Sequence, residues 1–586
     1  MLPKRGRQQH AAEHAPESSY NYGTRASGEQ HGVVLTKPHI VELILDLVNY
    51  QETRDLARLR LLEPSCGQGV FLLLAIERLL RSAHRHGHSP SELGDSLLAI
   101  EVNQEQAEHT RERVTVALQK AGLPTQTAQQ LATKWVVCAD FLLHPIPNRV
   151  DFVVGNPPYV RIEQIPIALQ TEYRTRYVSL FDRADLYVAF IERSLSLLSD
   201  DGMLSFICAD RWTRNRYGAP LRKLISDHFV VRSYLDLSAA SPFESAVSAY
   251  PSIFVMTPKS ALVSASSPVN VVTMLDASAD ECTQLRKLLS GTPLTLPPQT
   301  PQTGNPPQLR IHDHWFVGTD PWVLGSPEQL RVLRKLEQSH PLLESCGARV
   351  GIGVATGLDR VFIVDQQQAA QLESDRVLPL VMRQDLADGQ IRAAGRFVLH
   401  TFTEEGLPID LAHYPKLSSY LAKHARAVKG RHVAKRSGSA WFRTIDRVKA
   451  KLLSTPKLLV ADIAEANLIT LDPGHYYPHH NLYYITAEGI DLAVLGGLLS
   501  SRVALFFIWS YAVTLRGRYL RFQAQYLRRI RIPRPDSLSQ ALQDDLRRAF
   551  FARDTTALDA LALQAYGLSA LPAFDCGDTR RQRSPP

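Results

Sequence analysis

A chain of 586 residues is too long for one ordinary hydrophobic core, so at least two domains are expected. Its 45% hydrophobic and 21% charged residues are typical of a folded globular protein and exclude a disordered or fibrous chain. A formal net charge of +8 suits a polyanionic partner such as nucleic acid without requiring one, and six scattered cysteines without a Cys-x-x-Cys pair give no sign of a disulfide framework or a zinc knuckle.

Residues 1–31 are polar and lack the apolar core of a signal peptide, so we predict a disordered tail and a cytoplasmic protein. One later stretch, residues 492–515, is apolar enough to suggest a membrane span. However, Arg502 lies in its middle and would cost about 2.5–3.5 kcal/mol in a bilayer. Because Ser500 and Ser501 weaken the case further, we predict a buried helix and no membrane contact.

From residue 32 to about residue 256, short apolar strands alternate with amphipathic helices. RLLEPS, LLAIEV, WVVCADF, DFVVGN and GMLSFICAD are predicted strands, and GVFLLLAIERLLRSAHR and QEQAEHTRERVTVALQKAG are predicted helices. This alternation favours an α/β domain, with a mostly parallel sheet covered by helices. We predict the domain over 32–290, a proline-rich linker over 291–310, a less regular second domain over 311–570 and a basic tail over 571–586.

Three of the predicted strands end in an acidic residue. Glu63 ends the first and is followed by a turn with Gly67 and Gly69, and then by a helix whose first N–H groups are free. Glu101 and Asp140 end the next two. Ligands of open α/β sheets bind at such strand ends, where Glu101 could accept ribose hydroxyls and Asp140 an adenine amino group. Each acid alone could equally be a helix cap, and no Gly-x-Gly-x-x-Gly or phosphate-binding lysine points to a pyrophosphate cofactor.

The fourth strand runs into Asn156-Pro157-Pro158-Tyr159. Proline fixes its own φ and restricts the residue before it, so this backbone is stiff. The Asn156 side-chain oxygen and the Pro157 carbonyl can then form two neutral acceptors for the two N–H groups of an exocyclic amine, while Tyr159 offers a ring for stacking. A strand-ending turn is the plain alternative, but the position after three acidic strand ends favours a nucleobase site.

These segments resemble the amino-group DNA methyltransferases that use S-adenosylmethionine, specifically the γ-type N6-adenine enzymes. HGVVLTKPHIVELILDLV is similar to their leading segment, although Lys37 replaces a common proline. LEPSCGQGVFL, AIEV and CADFLLH are similar to their cofactor motifs, and VVGNPPYVR to their catalytic motif. The resemblance implies a Rossmann-like α/β methyltransferase domain with a mixed seven-stranded sheet, followed by a mixed α+β target recognition domain.

The resemblance also implies a set of site residues. The flipped adenine of double-stranded DNA would be held by the catalytic motif and by an aromatic residue in YLDLSAASPFESAVSAYPSIFVM, and the methyl group would pass in line from the sulfonium to N6. The predicted cofactor-binding residues are Thr36, Pro38, Glu63, Cys66, Gly67, Gly69, Glu101, Asp140, Phe141 and Asn156. The predicted catalytic residues are Asn156, Pro157, Pro158, Tyr159 and Phe243.

In the second domain, residues 423–443 (the basic segment) carry seven basic residues and no acid, as a phosphate-binding surface would. Residues 515–534 form a second basic patch with aromatics, and for both a solvated charged face is the alternative. The histidines in HYYPHHNLYY, residues 475–484, lack an acidic partner in that segment, so no metal site is predicted. The predicted DNA-binding residues are Lys423, Arg426, Lys429, Arg431, Lys435, Arg436 and Arg443.

Two other functions stay open. Asn-Pro-Pro-Tyr also occurs in methyltransferases of this fold that modify protein glutamine or RNA, although those chains are usually shorter. The second alternative function is that of a non-catalytic DNA-binding subunit of a defence system. We favour an adenine-specific DNA methyltransferase of a restriction–modification or related defence system, acting as a monomer on DNA. Because only 31 residues precede Gly32, we expect no fused nuclease, and a separately encoded endonuclease is left open as a partner.

Overall fold

The computed structural model describes residues 34–245, 250–260, 267–290, 306–464, 469–512 and 520–574. The predicted N-terminal tail, residues 291–305 of the predicted linker and residues 575–586 of the predicted C-terminal tail lie outside these ranges. The chain divides into two compact units, Met1–Val323 and Leu324–Pro586. This division falls 13 residues after the end of the predicted linker at residue 310, because a strand at residues 308–312 belongs to the sheet of the first unit.

The first unit is built on one nine-stranded sheet with the order β3-β2-β1-β4-β5-β7-β6-β8-β9. Strands β1 to β5 run parallel, whereas β7 is antiparallel to both β5 and β6. The strands are β1 (Leu61–Glu63), β2 (Leu97–Glu101), β3 (Val136–Cys138), β4 (Val150–Gly155), β5 (Leu198–Ala209), β6 (Phe229–Asp236), β7 (Pro251–Pro258), β8 (Val269–Thr273) and β9 (Gln308–His312).

The predicted count of seven strands is wrong. The first seven strands in the order form the mixed sheet that was predicted, but β8 pairs parallel to β6, and β9 pairs antiparallel to β8. Both added strands lie within or next to stretches rich in proline, serine and threonine, where a sequence pattern indicates loops. Their partner strands supply the hydrogen bonds that the local composition does not predict.

The helices of the first unit follow the predicted alternation with the strands. In α2, residues Leu72, Ala75, Ile76 and Leu79 recur at helical spacing, and all are buried. The helices are α1 (Pro38–Leu47), α2 (Val70–His86), α3 (Gln104–Lys120), α4 (Thr125–Trp135), α5 (Ile167–Arg176), α6 (Tyr187–Leu197), α7 (Ala219–His228) and α8 (Ala279–Leu289). The two helices predicted from sequence correspond to α2 and α3.

The second unit contains two four-stranded sheets, with the orders β10-β20-β16-β18 and β11-β15-β12-β19. Two further pairs, β13–β14 and β17–β21, are antiparallel ribbons. The strands are β10 (Ala348–Ile352), β11 (Ile363–Asp365), β12 (Val377–Val381), β13 (Leu386–Ala387), β14 (Gln390–Ile391), β15 (Arg396–Leu399), β16 (Lys457–Ala461), β17 (Ile463–Ala464), β18 (Ile469–Asp472), β19 (Tyr477–Pro478), β20 (Leu482–Ala487) and β21 (Leu520–Arg521).

Short and medium helices complete this unit, which is therefore a mixed α+β structure. They are α9 (Pro327–Ser339), α10 (Asp359–Phe362), α11 (Gln366–Ala369), α12 (Pro415–Lys423), α13 (Ala425–Lys429), α14 (His432–Ser437), α15 (Lys451–Ser454), α16 (Leu492–Leu499), α17 (Arg502–Tyr511), α18 (Ala524–Leu527), α19 (Gln540–Ala552) and α20 (Thr555–Ala565).

The apolar stretch that was predicted as one buried helix forms two buried helices, α16 and α17. The helix is interrupted between α16 and α17, because the Ser501 side chain accepts a hydrogen bond from the Ala504 N–H and caps the start of α17. Within the part of the chain that the structure describes, no single helix has both the length and the apolar composition to cross a membrane. Only α16 and α17 together pass that test, across a bend of 60°.

Candidate functional site

The carboxyl ends of β1, β2 and β4 border one cavity of about 230 Å³. This is where the strand order reverses, since β2 and β3 lie on one side of β1 and β4 lies on the other. Open α/β sheets bind their ligands at such a point. Nine of the predicted site residues line the cavity: Thr36, Glu63, Cys66, Gly67, Glu101, Asp140, Phe141, Asn156 and Pro158.

The glycine turn after β1 is held by Glu101. Its two carboxylate oxygens accept hydrogen bonds from the backbone N–H groups of Gly67 and Asn103, both at 2.9 Å. Gly69 is the residue before α2 and has a φ of +75°, and a Cβ there would lie 2.8 Å from Thr110 Cγ2. Gly69 therefore shapes the turn without lining the cavity.

Glu63 lies deeper, with 1% of its surface exposed. Its Oε2 atom is buried and meets no hydrogen-bond partner among the described residues. Burial raises the pKa of this carboxyl well above its ordinary value, and the neighbouring Glu101 raises it further, although the Leu72 N–H at the start of α2 opposes the shift. A buried acid without a full set of partners is costly to the fold, so its presence beside the cavity indicates a ligand that carries a donor or a positive charge.

We expect Glu63→Gln to increase the free energy of unfolding at pH 8, because the neutral amide avoids the cost of ionising this buried carboxyl, whose pKa burial raises. A raised folded-state pKa means that the folded protein holds the proton where the unfolded chain has lost it. The cost in stability of ionising Glu63 in the wild type is therefore greatest above its folded-state pKa. This cost vanishes below its unfolded-state pKa. Urea unfolding at pH 8 and pH 5 measures the difference, which should shrink at pH 5.

The exposed Glu77 on α2 provides the control for this measurement. Glu77→Gln should change the free energy of unfolding by less than about 0.5 kcal/mol at either pH. A Glu63→Gln protein that is less stable than wild type at pH 8 would contradict the argument.

The end of the cavity near β3 is formed by Asp140 and by aromatic residues. The Asp140 carboxylate accepts from the Leu142 N–H at 2.8 Å and from the Tyr173 hydroxyl at 2.5 Å. Burial raises the pKa of Asp140, and these two donors oppose the shift. The Phe141 ring is 2% exposed and lies 5.0 Å from the ring of Phe190. The arrangement offers an apolar slot with a carboxylate at its rim, which suits a heteroaromatic base with an exocyclic amine.

Sequence reasoning missed several residues on this side of the cavity. They lie on or next to helices α5 and α6, which follow β4 and carry none of the predicted site residues. Only the apolar face of α6 could have pointed to them, and that pattern predicts a packed helix equally well. These missed lining residues are Val160, Tyr173, Leu186 and Phe190. Gln68, just before α2, and Gln106, on α3, also line the cavity and were missed.

Strand β4 ends at Gly155, directly before Asn-Pro-Pro-Tyr. Gly155 has a φ of +149°, and Asn156 follows it at the cavity wall. The Asn156 Nδ2 atom donates to the Val34 carbonyl at 3.1 Å and lies 3.5 Å from Thr36 Oγ1. Its Oδ1 atom is buried and accepts no hydrogen bond from any described residue. An anchored amide with a free oxygen is a ready acceptor for a donor that enters from the cavity.

The other motif residues surround this amide. Pro157 is buried and Pro158 lines the cavity. The ring of Tyr159 is partly exposed, but its hydroxyl oxygen is buried and has no partner among the described residues. Its centroid lies 6.2 Å from that of Tyr187 in an edge-on contact, and burial raises the pKa of Tyr159. Stacking of a base on Tyr159 stays a prediction.

Phe243 reaches the site region through backbone pairing. Residues 242–244 lie beside residues 35–37, with hydrogen bonds of 3.0 Å from the Lys37 N–H to the Pro242 carbonyl and 2.9 Å from the Glu244 N–H to the Leu35 carbonyl. The Phe243 side chain is 5% exposed, packs in the core of the first unit and does not line the cavity. Its stacking on a base therefore stays a prediction. Pro38, which also lies outside the lining, is the first residue of α1.

The basic segment of the second unit contains two kinds of cation. Arg431 and Arg443 are only partly exposed. The Arg431 guanidinium donates four hydrogen bonds of 2.7–3.1 Å, so it ties the segment to itself and to the loop before α10. The acceptors are the carbonyls of Val428, Thr356, Trp441 and Arg443. The remaining cations are exposed: Lys423, Arg426, Lys429, Lys435 and Arg436.

The second predicted basic patch is described only from residue 520 onward. Several of its arginines bond groups within their own unit: Arg521 donates to Asp462 at 2.8 Å, and Arg528 donates to the Val350 carbonyl at 2.7 Å. These arginines stabilise the second unit through internal hydrogen bonds, which weakens the case that this patch is a DNA-binding surface.

The histidine cluster has an acidic partner that its own segment lacks. Nε2 of the buried His479 lies 3.1 Å from Asp359 Oδ2, and the rings of His479 and His480 are 4.0 Å apart. One ligand atom from each of the three residues lies within 4.8 Å of the others. The premise that no acid is present is therefore wrong, whereas the absence of a bound metal stays a prediction. A direct hydrogen bond between Asp359 and His479 accounts for their distance.

Comparison with known proteins adds three findings. A family model described as Eco57I restriction-modification methylase matches residues 75–243. The chain is 44% identical over 548 residues to the Type II methyltransferase M.XhoI of Xanthomonas vasicola, with 92% of this chain and 98% of the relative covered. It is 42% identical over 549 residues to the Type II methyltransferase M.PaeR7I of Pseudomonas aeruginosa, with 93% of each chain covered.

Among solved structures, the fold is similar to that of the Type IIL restriction-modification enzyme MmeI in complex with DNA. The TM-score is 0.57 at 13% identity, with 91% of this chain and 74% of that chain covered. A nuclease-deletion mutant of the Type ISP restriction-modification enzyme LlaGI, bound to a DNA substrate mimic, gives a TM-score of 0.51 at 12% identity, with 89% and 46% covered. At these identities the likeness concerns the fold alone.

Proposed function

The chain belongs to the Type II methyltransferases, and we propose that it transfers the methyl group of S-adenosylmethionine to N6 of an adenine in a specific double-stranded DNA sequence. The hydrogen bonding of the Asn156 amide is the observation that supports an exocyclic amine as the target. Its nitrogen is anchored, and its buried oxygen has no partner among the described residues. An amine donor that enters from the cavity would satisfy that oxygen.

The main contribution required of the protein is to position the target amine and the methyl donor. The target amine must be brought out of the duplex and held beside the sulfonium of the cofactor, at an unstacking cost of a few kcal/mol. Stacking on the Tyr159 ring would offset about 1–3 kcal/mol of this cost. The Asn156 oxygen and the Pro157 carbonyl would accept the two amine hydrogens, which favours the tetrahedral nitrogen that attacks the methyl group. Because both acceptors are neutral, no shifted pKa is needed for that step.

The residues around the cavity fit S-adenosylmethionine. Glu101 holds the glycine turn and stands at the end of β2, where ribose hydroxyls would be accepted. Asp140 and the ring of Phe141 suit the adenine. The buried Glu63 carboxyl lies on the side of the cavity where α2 begins, and a cofactor that carries two positive groups would favour its ionised form.

The test of the proposed function uses the full chain with cofactor labelled in its methyl group and duplex DNA of varied sequence. We expect label on DNA, and N6-methyladenine after digestion to nucleosides. Label on cytosine N4 would keep the mechanism and overturn the adenine assignment. Label only on RNA or on protein glutamine, or no transfer together with no cofactor binding, would overturn the proposal.

The second unit is proposed to grip the DNA through the exposed cations of the basic segment. Lys423 and Arg426 border an open groove together with Gly430 and Arg431. A groove with lysine and arginine at its edges suits the phosphate backbone, which positions a protein without specifying sequence. Because one chain carries both this groove and the cavity, we propose action as a monomer, beside a separately encoded endonuclease.

We expect Lys423→Ala with Arg426→Ala to weaken DNA binding and to lower the slope of log affinity against log salt by up to about 2, since each lost phosphate contact removes about 1. Fluorescence anisotropy from 50 to 200 mM salt measures both quantities. Lys120→Ala with Lys287→Ala, which removes two exposed cations outside the basic segment, is the control and should leave the slope unchanged. An unaltered slope in the first variant would exclude Lys423 and Arg426 from the interface.

Arg431 was predicted to contact DNA, and its guanidinium also bonds four backbone carbonyls. Arg431→Ala should therefore lower the melting temperature of the protein, and any loss of DNA binding would follow from loss of structure.

A further inference from the structure

Tyr173 makes an unexpected contact with a residue of the cofactor cavity. It lies on α5, is fully buried and lines the cavity. Its hydroxyl donates to Asp140 Oδ2 at 2.5 Å, a short distance typical of a hydrogen bond to a charged acceptor. The two residues are 33 positions apart, so the contact depends on how α5 packs beside the end of β3.

The bonds that Asp140 makes leave it with unused acceptor capacity. Each oxygen of an ionised carboxylate can accept about two hydrogen bonds. Oδ1 accepts from the Leu142 N–H and Oδ2 accepts from the Tyr173 hydroxyl. Because the side chain also lines the cavity, a further donor can reach it from there. The tyrosine thus fixes the plane of the carboxylate without using up its lone pairs.

A neighbouring tyrosine shows what a purely structural contact looks like here. Tyr177, one turn further along the chain, donates to the Leu142 carbonyl at 2.5 Å and does not line the cavity. Arg193 of α6 donates to the His144 carbonyl and lies over the Phe141 ring at 4.9 Å. The backbone of residues 140–144 is therefore also held by other groups, whereas Tyr173 bonds the Asp140 carboxylate itself, together with the Leu142 N–H.

We propose that Tyr173 is a positioning residue that orients the Asp140 carboxylate toward the exocyclic amine of the cofactor's adenine, and thereby makes the enzyme discriminate between adenosyl and other nucleosyl cofactors. This inference rests on the proposed function, in which the cavity binds S-adenosylmethionine. It assigns no chemical step to Tyr173, which acts only through Asp140.

The ionisation of Asp140 provides a second readout. Burial raises the pKa of Asp140, while Tyr173 on α5, the Leu142 N–H, Arg193 on α6 and Arg176 at the end of α5 lower it. Loss of the Tyr173 hydroxyl should raise that pKa further. Since only the ionised carboxylate accepts fully from the amine, cofactor binding by Tyr173→Phe should fall off at a higher pH than in the wild type as the solution is acidified.

The experiment measures dissociation constants of two probes by calorimetry. One is S-adenosylhomocysteine, and the other is its purine riboside analogue, in which hydrogen replaces the adenine amino group. We expect Tyr173→Phe to bind S-adenosylhomocysteine about tenfold more weakly than the wild type, a change of about 1.4 kcal/mol. Its affinity for the analogue should change by less than about twofold, because that probe has no amine for Asp140 to hold.

Tyr177→Phe is the matched control, since it removes a hydroxyl from the same stretch of chain without touching Asp140. It should preserve the wild-type ratio of the two dissociation constants, and thermal melting should show both variants folded. Equal losses for both probes in Tyr173→Phe, no loss for either, or an altered ratio in Tyr177→Phe would overturn the inference. A wild-type protein that binds neither probe would overturn the proposed function itself, and the inference with it.

Discussion

Replacing Asn156 with alanine should reduce methyl transfer to DNA by at least about 100- to 1,000-fold, the range seen when one preorganised polar contact to a transition state is lost. The Asn156 Oδ1 atom is buried at the end of β4 and has no partner among the described residues. The only other side-chain oxygen of the motif is the Tyr159 hydroxyl, which is itself buried, so the variant would lose one of the two acceptors proposed to hold the target amine.

The affinity for S-adenosylmethionine should change by only a few-fold in the same variant. The Asn156 nitrogen donates to the Val34 carbonyl at 3.1 Å, which helps to hold one wall of the cavity. The residues 35–37 of that wall are also held by backbone hydrogen bonds to residues 242 and 244, and these do not involve the amide. The loss should therefore appear in the rate of transfer and not in the binding of the cofactor.

Single-turnover transfer of labelled methyl groups and calorimetry with the cofactor separate the two effects. Asn148→Ala is the control, because Asn148 is exposed just before the other end of β4. It should retain wild-type transfer and cofactor affinity. If Asn156→Ala kept wild-type turnover, or if its whole defect lay in cofactor binding, the role assigned to the amide would be wrong.

The sheet of the first unit was largely predictable because its strands and helices have strong local patterns. Buried strands such as β4 are mostly apolar, and α2 repeats its apolar residues at helical spacing. Strands β8 and β9 lack such signals, since they lie within or next to sequence rich in proline, serine and threonine. They form because β8 pairs with β6 and β9 pairs with β8. These contacts depend on the tertiary structure and not on the local sequence.

The candidate site also has some residues that the sequence predicts and others that it does not. Glu63, Glu101 and Asp140 meet at one cavity because parallel strands bring their carboxyl ends to the same edge of a sheet, which a sequence can predict. Tyr173 could not be found, because its partner is chosen by the packing of α5. Arg431 is similar, since the basic segment gives no sign that its guanidinium bonds backbone carbonyls, and its contact with DNA stays a prediction.

Lys457→Met should destabilise the second unit by about 3–5 kcal/mol, the cost of leaving one partner of a buried ion pair without its counter-charge. Lys457 of β16 and Asp472 of β18 are directly opposed across the sheet, and their side chains are fully buried with 2.8 Å between Nζ and Oδ2. The ammonium also donates to carbonyls at the end of α15 and just beyond it, among them those of Leu452 and Thr455. Methionine can fill the volume but makes none of these bonds.

Urea unfolding of the full chain, followed by a probe in the second unit, measures this loss. Lys451→Met is the control, since Lys451 is exposed on α15 and its removal should change stability by less than about 0.5 kcal/mol. A Lys457→Met protein as stable as the wild type would show that the ion pair is not needed.

A second variant tests whether the buried charge itself causes the loss. Asp472 also accepts hydrogen bonds from the N–H groups of Gly474, His475 and Tyr476, so leucine at this position would remove the turn contacts together with the charge. An asparagine side chain in its place would keep an oxygen for that turn and leave no charge unpaired. Lys457→Met with Asp472→Asn should therefore be more stable than Lys457→Met alone, because an uncompensated carboxylate is worse for the fold than a neutral amide in the same place. If the double variant were the less stable of the two, lost packing and hydrogen bonds, rather than the stranded charge, would explain the effect.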